Sequence, residues 1–155
     1  MEMKTKVHAE EGKQELHITR EFDLPVELLF KAYEEPGLIE EWMGTKVLKL
    51  ENKDHGAYRF ETSDTSGNVV FSANGVIHEF KPNRQIIRTF EMENTPFPVQ
   101  LEFLEFEKLT ENTSKLNILM VFKSGADRDQ LLKLPFAKGI NMAHDTLQKI
   151  VNKTR

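Results

Sequence analysis

The sequence contains no cysteine among its 155 residues. This absence excludes disulfides, thiolate zinc sites, cysteine nucleophiles and iron–sulfur clusters. No apolar run approaches the roughly 18 residues that a membrane-spanning helix needs, so we expect no membrane insertion. The N-terminal segment also lacks the apolar stretch of a secretory signal, which predicts a cytoplasmic location.

An excess of positive charge is lacking as well. Lys and Arg together number 21 and Asp and Glu 25, so the formal net charge is −4. Non-specific nucleic-acid binding depends on clustered Lys and Arg, and we therefore expect no nucleic-acid partner.

Residue patterns for metal, cofactor or covalent chemistry are missing too. No two histidines are spaced as ligands on one helix turn, and the five lie apart, at His8, His17, His55, His78 and His144. There is no Gly-x-Ser-x-Gly elbow and no phosphate-binding glycine loop. We predict no metal, no cofactor and no catalytic constellation. The carboxylates of Glu102, Glu105 and Glu107 are interpreted as a solvated face of a strand.

Phenylalanine is the abundant aromatic residue. Eleven Phe stand against two Tyr and one Trp. Phe has a large apolar surface and no polar group, so a cavity lined with it suits an apolar guest. Simple packing of a sheet core is the alternative explanation.

The length fits one domain, which we place at residues 15–155 after a polar tail at 1–14 that we expect to be disordered. Apolar–polar alternation from Leu16 predicts a strand at 16–22. Helical spacing after Pro25 predicts one short helix, and a second short helix ends at Gly44.

The rest of the chain predicts a sheet followed by one long helix. Alternating segments bounded by turn residues predict strands at 46–51, 57–62, 69–80, 85–92, 100–109 and 115–123. Short connections favour an antiparallel meander. Apolar residues then recur at steps of three and four over 135–153, which predicts an amphipathic helix. We expect an α+β fold with six to seven strands, whose apolar face this helix covers.

Four segments in this order resemble the START-like, or SRPBCC, superfamily. Within it the chain is similar to the family named for the activator of the ninety-kilodalton heat-shock protein ATPase. The segments are ITREFD at 18–23 with Pro25 and LFKAY at 29–33, LIEEW at 38–42, GAYRF at 56–60, and GVIHEF at 75–80 running on to Thr89-Phe90. The resemblance covers residues 15–153 and implies a helix-grip fold, in which a curved antiparallel sheet wraps around the C-terminal helix and leaves a cavity.

The expected cavity gives a set of candidate ligand-binding residues. Trp42 is expected at its mouth, and His78 is the polar group that we expect to point inward. The full set is Trp42, Phe60, Phe71, His78, Phe90, Phe136 and Ile140.

Three functions remain open at this point. The first is binding of a small hydrophobic or amphipathic molecule, which the expected cavity and the lack of catalytic motifs favour. The second is a protein-interaction module like the chaperone-ATPase activators, with a protein partner. The third is an enzyme of the cyclase or aromatase type, a class found in the superfamily. It would need inward polar groups such as His78, Arg59, Arg88 or Tyr58 around one centre.

Overall fold

A computed structural model describes residues 3–155 of the protein, so residues 1 and 2 of the predicted tail lie outside the described residues. The elements in chain order are β1 (Lys6–His8), β2 (Glu15–Phe22), α1 (Val26–Glu34), α2 (Pro36–Met43), β3 (Lys46–Leu50), β4 (Ala57–Ser63), β5 (Val69–Lys81), β6 (Gln85–Met92), β7 (Gln100–Lys108), β8 (Ser114–Val121), α3 (Gly125–Leu132) and α4 (Phe136–Asn152).

The strands form one antiparallel sheet in the order β1-β2-β8-β7-β6-β5-β4-β3. From β3 to β8 each strand pairs with the next along the chain, as short connections favour. Strand β2 pairs with β8 instead of β3, and α1 and α2 form the connection between β2 and β3. The predicted α+β helix-grip fold is confirmed.

The N-terminal segment differs from its prediction. Strand β1 pairs with β2, with Val7 opposite Ile18, and the sheet has eight strands where six to seven were expected. The prediction of a disordered tail over 1–14 is therefore wrong for this strand. Strand β1 has only three residues, too few for an alternation pattern, and the polar residues on either side of it do not indicate a strand.

The two halves of helix α4 have different surroundings. In the C-terminal half, Leu147 and Val151 are fully buried. In the N-terminal half, Phe136, Ile140 and Ala143 are only partly buried, although they belong to the same apolar stripe. Helix α2 ends at Gly44, whose positive φ of 62° is the conformation that favours glycine at a helix end. The short helix α2 and the exposed half of α4 thus frame a space above the sheet.

Period-two alternation gives the sheet an inner face. The buried apolar residues of β2, β7 and β8 that face the helices include Leu16, Ile18, Phe22, Leu104, Phe106, Leu116 and Ile118. They form the core with Leu29 and Phe30 of α1. None of the helices within residues 3–155 is both long and apolar enough to cross a membrane.

Candidate functional site

A hollow of about 440 Å³ lies between the inner face of the sheet, helix α2 and the N-terminal half of α4. Its wall is mostly apolar. The apolar lining residues are Trp42, Met43, Phe71, Phe90, Met92, Leu104, Ile118, Met120, Leu131, Phe136, Ile140 and Ala143. A hollow of this size and chemistry is typical of small-molecule sites.

The structure brings five of the seven candidate residues to this hollow, namely Trp42, Phe71, Phe90, Phe136 and Ile140. The indole Nε1 of Trp42 donates a hydrogen bond of 2.7 Å to the carbonyl of Ala32, so the ring is fixed at the wall. That these five residues bind a ligand stays a prediction.

The other two candidates do not line the hollow. Phe60 faces inward, but it is buried in the core with its ring 5.2 Å from that of Tyr58. His78 is exposed, and its ring lies edge-on to that of His55. The expectation that His78 points inward is wrong, because Ile77 takes the inward position and strand β5 bulges directly after it.

A largely buried ion pair contributes to the polar part of the lining. Arg88 of β6 lies directly opposite Glu102 of β7, and Arg88 Nε donates a hydrogen bond of 3.0 Å to Glu102 Oε1. Gln100 Nε2 donates to the other carboxylate oxygen at 2.8 Å. Residues opposite each other on one face of a sheet are close neighbours, so the strand register itself creates the pair.

The surroundings of Arg88 keep it positively charged. Burial lowers the pKa of the guanidinium. Electrostatic interactions with Tyr58 and Glu102 raise it by more in total, so the pKa lies above its ordinary value. The guanidinium carbon lies 5.2 Å from the centre of the Tyr58 ring, a cation–π geometry. Gly75 gives this ring its space, since a Cβ there would lie 2.6 Å from the Tyr58 ring and 2.0 Å from the carbonyl oxygen of Thr89.

The interpretation of Glu102 as part of a solvated face is wrong. Glu102 is 4% exposed and faces the hollow, whereas Glu105 and Glu107 are exposed on the outer face. The sequence spacing could have shown this, because side chains alternate between the two faces of a strand. Position 102 is an odd number of residues from 105 and 107, so it lies on the opposite face. Gln100 and Tyr33 were also missed, and both line the hollow.

His144 of α4 is a second polar group at the hollow. It is 1% exposed, and its Nδ1 lies 2.7 Å from Thr5 Oγ1. Burial, and to a lesser extent the nearby Arg20, lower the pKa of His144, and Asp145 opposes them, so that the pKa is about 4. The imidazole is therefore neutral at neutral pH.

Thr5, directly before β1, links His144 to the buried Arg20. The Arg20 guanidinium contacts Asp145 Oδ1 at 2.9 Å, Asn141 Oδ1 at 3.2 Å and Thr5 Oγ1 at 3.4 Å. These bonds hold β1, β2 and α4 together at one end of the hollow. No three His, Asp or Glu side chains of the described chain are grouped as metal ligands.

Comparison with known protein families identifies the chain's relatives. Residues 23–152 match the family model described as Activator of Hsp90 ATPase homolog 1-like protein. The chain belongs to this family. The resemblance found in the sequence is thereby confirmed. No curated protein gives a significant match.

Solved structures with the same fold come from several bacteria. A Rhodobacter sphaeroides protein has a TM-score of 0.85 at 17% identity, over 97% of this chain and 99% of that one. Protein Ms6760 from Mycobacterium smegmatis has a TM-score of 0.80 at 18% identity, over 95% and 96% of the two chains. CalU16 from Micromonospora echinospora has a TM-score of 0.67 at 18% identity, over 97% and 87%. These similarities concern the fold.

Proposed function

We propose that the protein binds a small hydrophobic or amphipathic molecule in the hollow between the sheet and α4. The observation that carries this proposal is the hollow itself, with its volume of about 440 Å³, its mostly apolar wall and its largely buried Arg88–Glu102 pair. A core that served only for packing would fill such a space, because protein interiors are close-packed.

The energetics allow useful affinity. A guest that buries ~200 Å² of apolar surface gains ~5 kcal/mol at ~25 cal/mol per Å², before the costs of association. Polar contacts in the hollow would add to this. The apolar contribution alone corresponds to a dissociation constant of about 0.2 mM before those costs, so a tightly bound guest must also use the polar groups of the hollow.

The polar groups favour binding over acid–base chemistry. Of the residues considered for a cyclase-like enzyme, His78 is exposed, and Arg59 is paired with Glu93 through two hydrogen bonds. Tyr58 and Arg88 do meet, but burial raises the pKa of Tyr58, and Arg88 keeps its proton. Neither group exchanges a proton near neutral pH, which general acid–base catalysis needs.

The family description favours a second function, contact with a chaperone ATPase. The test is the ATP turnover of purified Hsp90 with and without this protein. An increase that the hollow-filling variant described below also produces would support an interaction role separate from ligand binding. The cytoplasmic location expected from the sequence stays a prediction.

A neutral fluorescent probe tests the binding function. N-phenyl-1-naphthylamine should gain fluorescence when it enters the hollow, and Ala143→Phe should abolish this gain, because the added ring occupies the space beside Ile140. Ala137→Phe is the matched control, since Ala137 is exposed on the same helix and does not line the hollow.

The two variants separate the outcomes. Equal loss of probe binding in both would indicate damage to α4, and circular dichroism would reveal it. No saturable fluorescence gain with the wild-type protein, or a gain that Ala143→Phe leaves unchanged, would contradict binding in this hollow.

A further inference from the structure

Three polar groups at the hollow have hydrogen-bonding capacity that the rest of the described chain does not use. Arg88 donates only through Nε, which leaves both Nη groups. Gln100 donates through Nε2 to Glu102 and to the sulfur of Met120, which leaves Oε1. The hydroxyl of Tyr33 has no hydrogen-bond partner within residues 3–155.

These groups open into the hollow. Arg20 Nε is the one side-chain nitrogen or oxygen of residues 3–155 that is fully buried without a partner. The unused atoms of Arg88, Gln100 and Tyr33 therefore retain some accessible surface. All three residues line the hollow, and Arg88 and Gln100 are only 14% and 5% exposed, so that surface faces the interior space.

The charge at this site is already balanced. Arg88 contributes one positive charge and Glu102 one negative charge, with 3.0 Å between Arg88 Nε and Glu102 Oε1. Glu102 also accepts the hydrogen bond that holds the side chain of Gln100. A second anion in the hollow would face a cation that is already paired, and the carboxylate of Glu102 would repel it. Burial of an uncompensated charge in apolar surroundings is strongly unfavourable.

We infer, on the basis of the proposed binding function, that the hollow selects an uncharged amphiphile with an amide-like or carbonyl head and rejects the corresponding carboxylate. The Nη groups of Arg88 donate to the carbonyl oxygen of the head. Gln100 Oε1 and the Tyr33 hydroxyl accept from its N–H or O–H groups. The apolar body of the guest contacts Phe90, Phe136 and the other rings of the wall.

Decanamide and decanoate are the matched probes for this inference. They have the same chain and nearly the same shape, but at neutral pH only decanoate is charged. Each is titrated against the protein with bound N-phenyl-1-naphthylamine, and displacement gives the affinity. We expect decanamide to bind at least roughly tenfold more tightly than decanoate to the wild-type protein.

Substitution of Glu102 should reverse the preference. Glu102→Gln keeps the shape and leaves Arg88 without its counter-ion, so decanoate should become the tighter ligand. Glu105→Gln is the matched control on the same strand, where the side chain is exposed on the outer face, and it should keep the wild-type order. Tyr33→Phe removes one partner of the head group, so it should weaken decanamide several-fold.

The possible results are distinguishable. If decanoate binds the wild-type protein as well as decanamide does, or if Glu102→Gln leaves the order unchanged, the inferred selectivity is wrong while the binding function stands. If neither the amide nor the naphthylamine binds, the binding function itself is wrong. Should Glu102→Gln fail to fold, the wild-type ratio and Tyr33→Phe decide the question.

Discussion

Two arginines lie on the inner face of the same sheet with different partners, Arg20 buried and Arg88 largely buried. Arg88 forms an ion pair with the carboxylate of Glu102, and its guanidinium lies over the ring of Tyr58. Arg20 is surrounded by Asp145, an amide and a hydroxyl, and its Nε has no partner. A guanidinium with an unpartnered N–H is costly, so the Arg20 cluster stabilises the fold less than its number of contacts suggests.

Acid should destabilise the protein through His144. Its pKa is about 4 in the folded protein and 6.5 in an ordinary environment, so the unfolded chain binds the proton more readily. Stability from this group is complete above pH 6.5 and is lost as the pH falls towards 4, up to about 3 kcal/mol. Urea unfolding of the wild-type protein over this window should show the loss.

Replacement of His144 isolates its contribution. His144→Gln should make the free energy of unfolding fall less steeply with pH than in the wild type. His8→Gln changes an exposed imidazole and should keep the wild-type slope. Identical slopes for the wild type and His144→Gln would contradict the assigned role of burial.

The apolar–polar alternation of β2 predicted only some of the residues on the inner face of the sheet. It placed Leu16, Ile18 and Phe22 correctly, but Arg20 has the same parity and was not recognised as buried. Charged residues are rarely buried without a partner, and two partners of Arg20, Asn141 and Asp145, come from α4, more than a hundred residues away. Single-sequence patterns contain no information about such long-range partners.

Among the elements, strand β5 positions the polar part of the hollow. Gly75 leaves room for the ring of Tyr58 from β4, and that ring lies against Arg88 from β6. Strand β5 has its register shift with β6 between Ile77 and Glu79, two residues beyond Gly75. A glycine within a strand marks either a bulge or a close approach, and here it is the close approach.

A side chain at Gly75 should therefore be poorly tolerated. The Cβ of Gly75→Ala would lie 2.0 Å from the carbonyl oxygen of Thr89, which is backbone and cannot move aside cheaply. We expect a loss of roughly 3 kcal/mol in the free energy of unfolding, measured with urea. Gly37→Ala in α2 is the control, because a Cβ there meets nothing within 4 Å. It should be neutral or slightly stabilising, and equal effects of the two changes would contradict this explanation.

For the molecule as a whole, the hollow separates a well-packed region from a loosely packed one. The core between α1, the C-terminal half of α4 and strands β2 and β8 is filled by residues such as Leu16, Leu29 and Leu147. The order of elements and the helix over 135–153 were predictable because their periodicities are local. The space left beneath α4 depends on side-chain volumes from four strands and four helices, which no local pattern specifies.

A bound guest should stabilise the entire fold by mass action. At a decanamide concentration of about one hundred times its dissociation constant, the gain is about 2.7 kcal/mol, which raises the melting temperature by roughly 5–10 °C for a domain of this size. Differential scanning calorimetry measures the shift. Ala143→Phe should show none, and an equal shift in that variant would indicate binding outside the hollow.

The pairing of β2 with β8 has a consequence for the synthesis of the chain. Phe22 lies opposite Ser114, and Asp23 exchanges hydrogen bonds with Gln148 near the C-terminus. The first long strand therefore leaves the ribosome well before the strand and the helix that complete its environment. The inner face of the nascent chain therefore stays uncovered until the last helix is made, and loss of the last two turns of that helix would remove Leu147 and Val151 from the core.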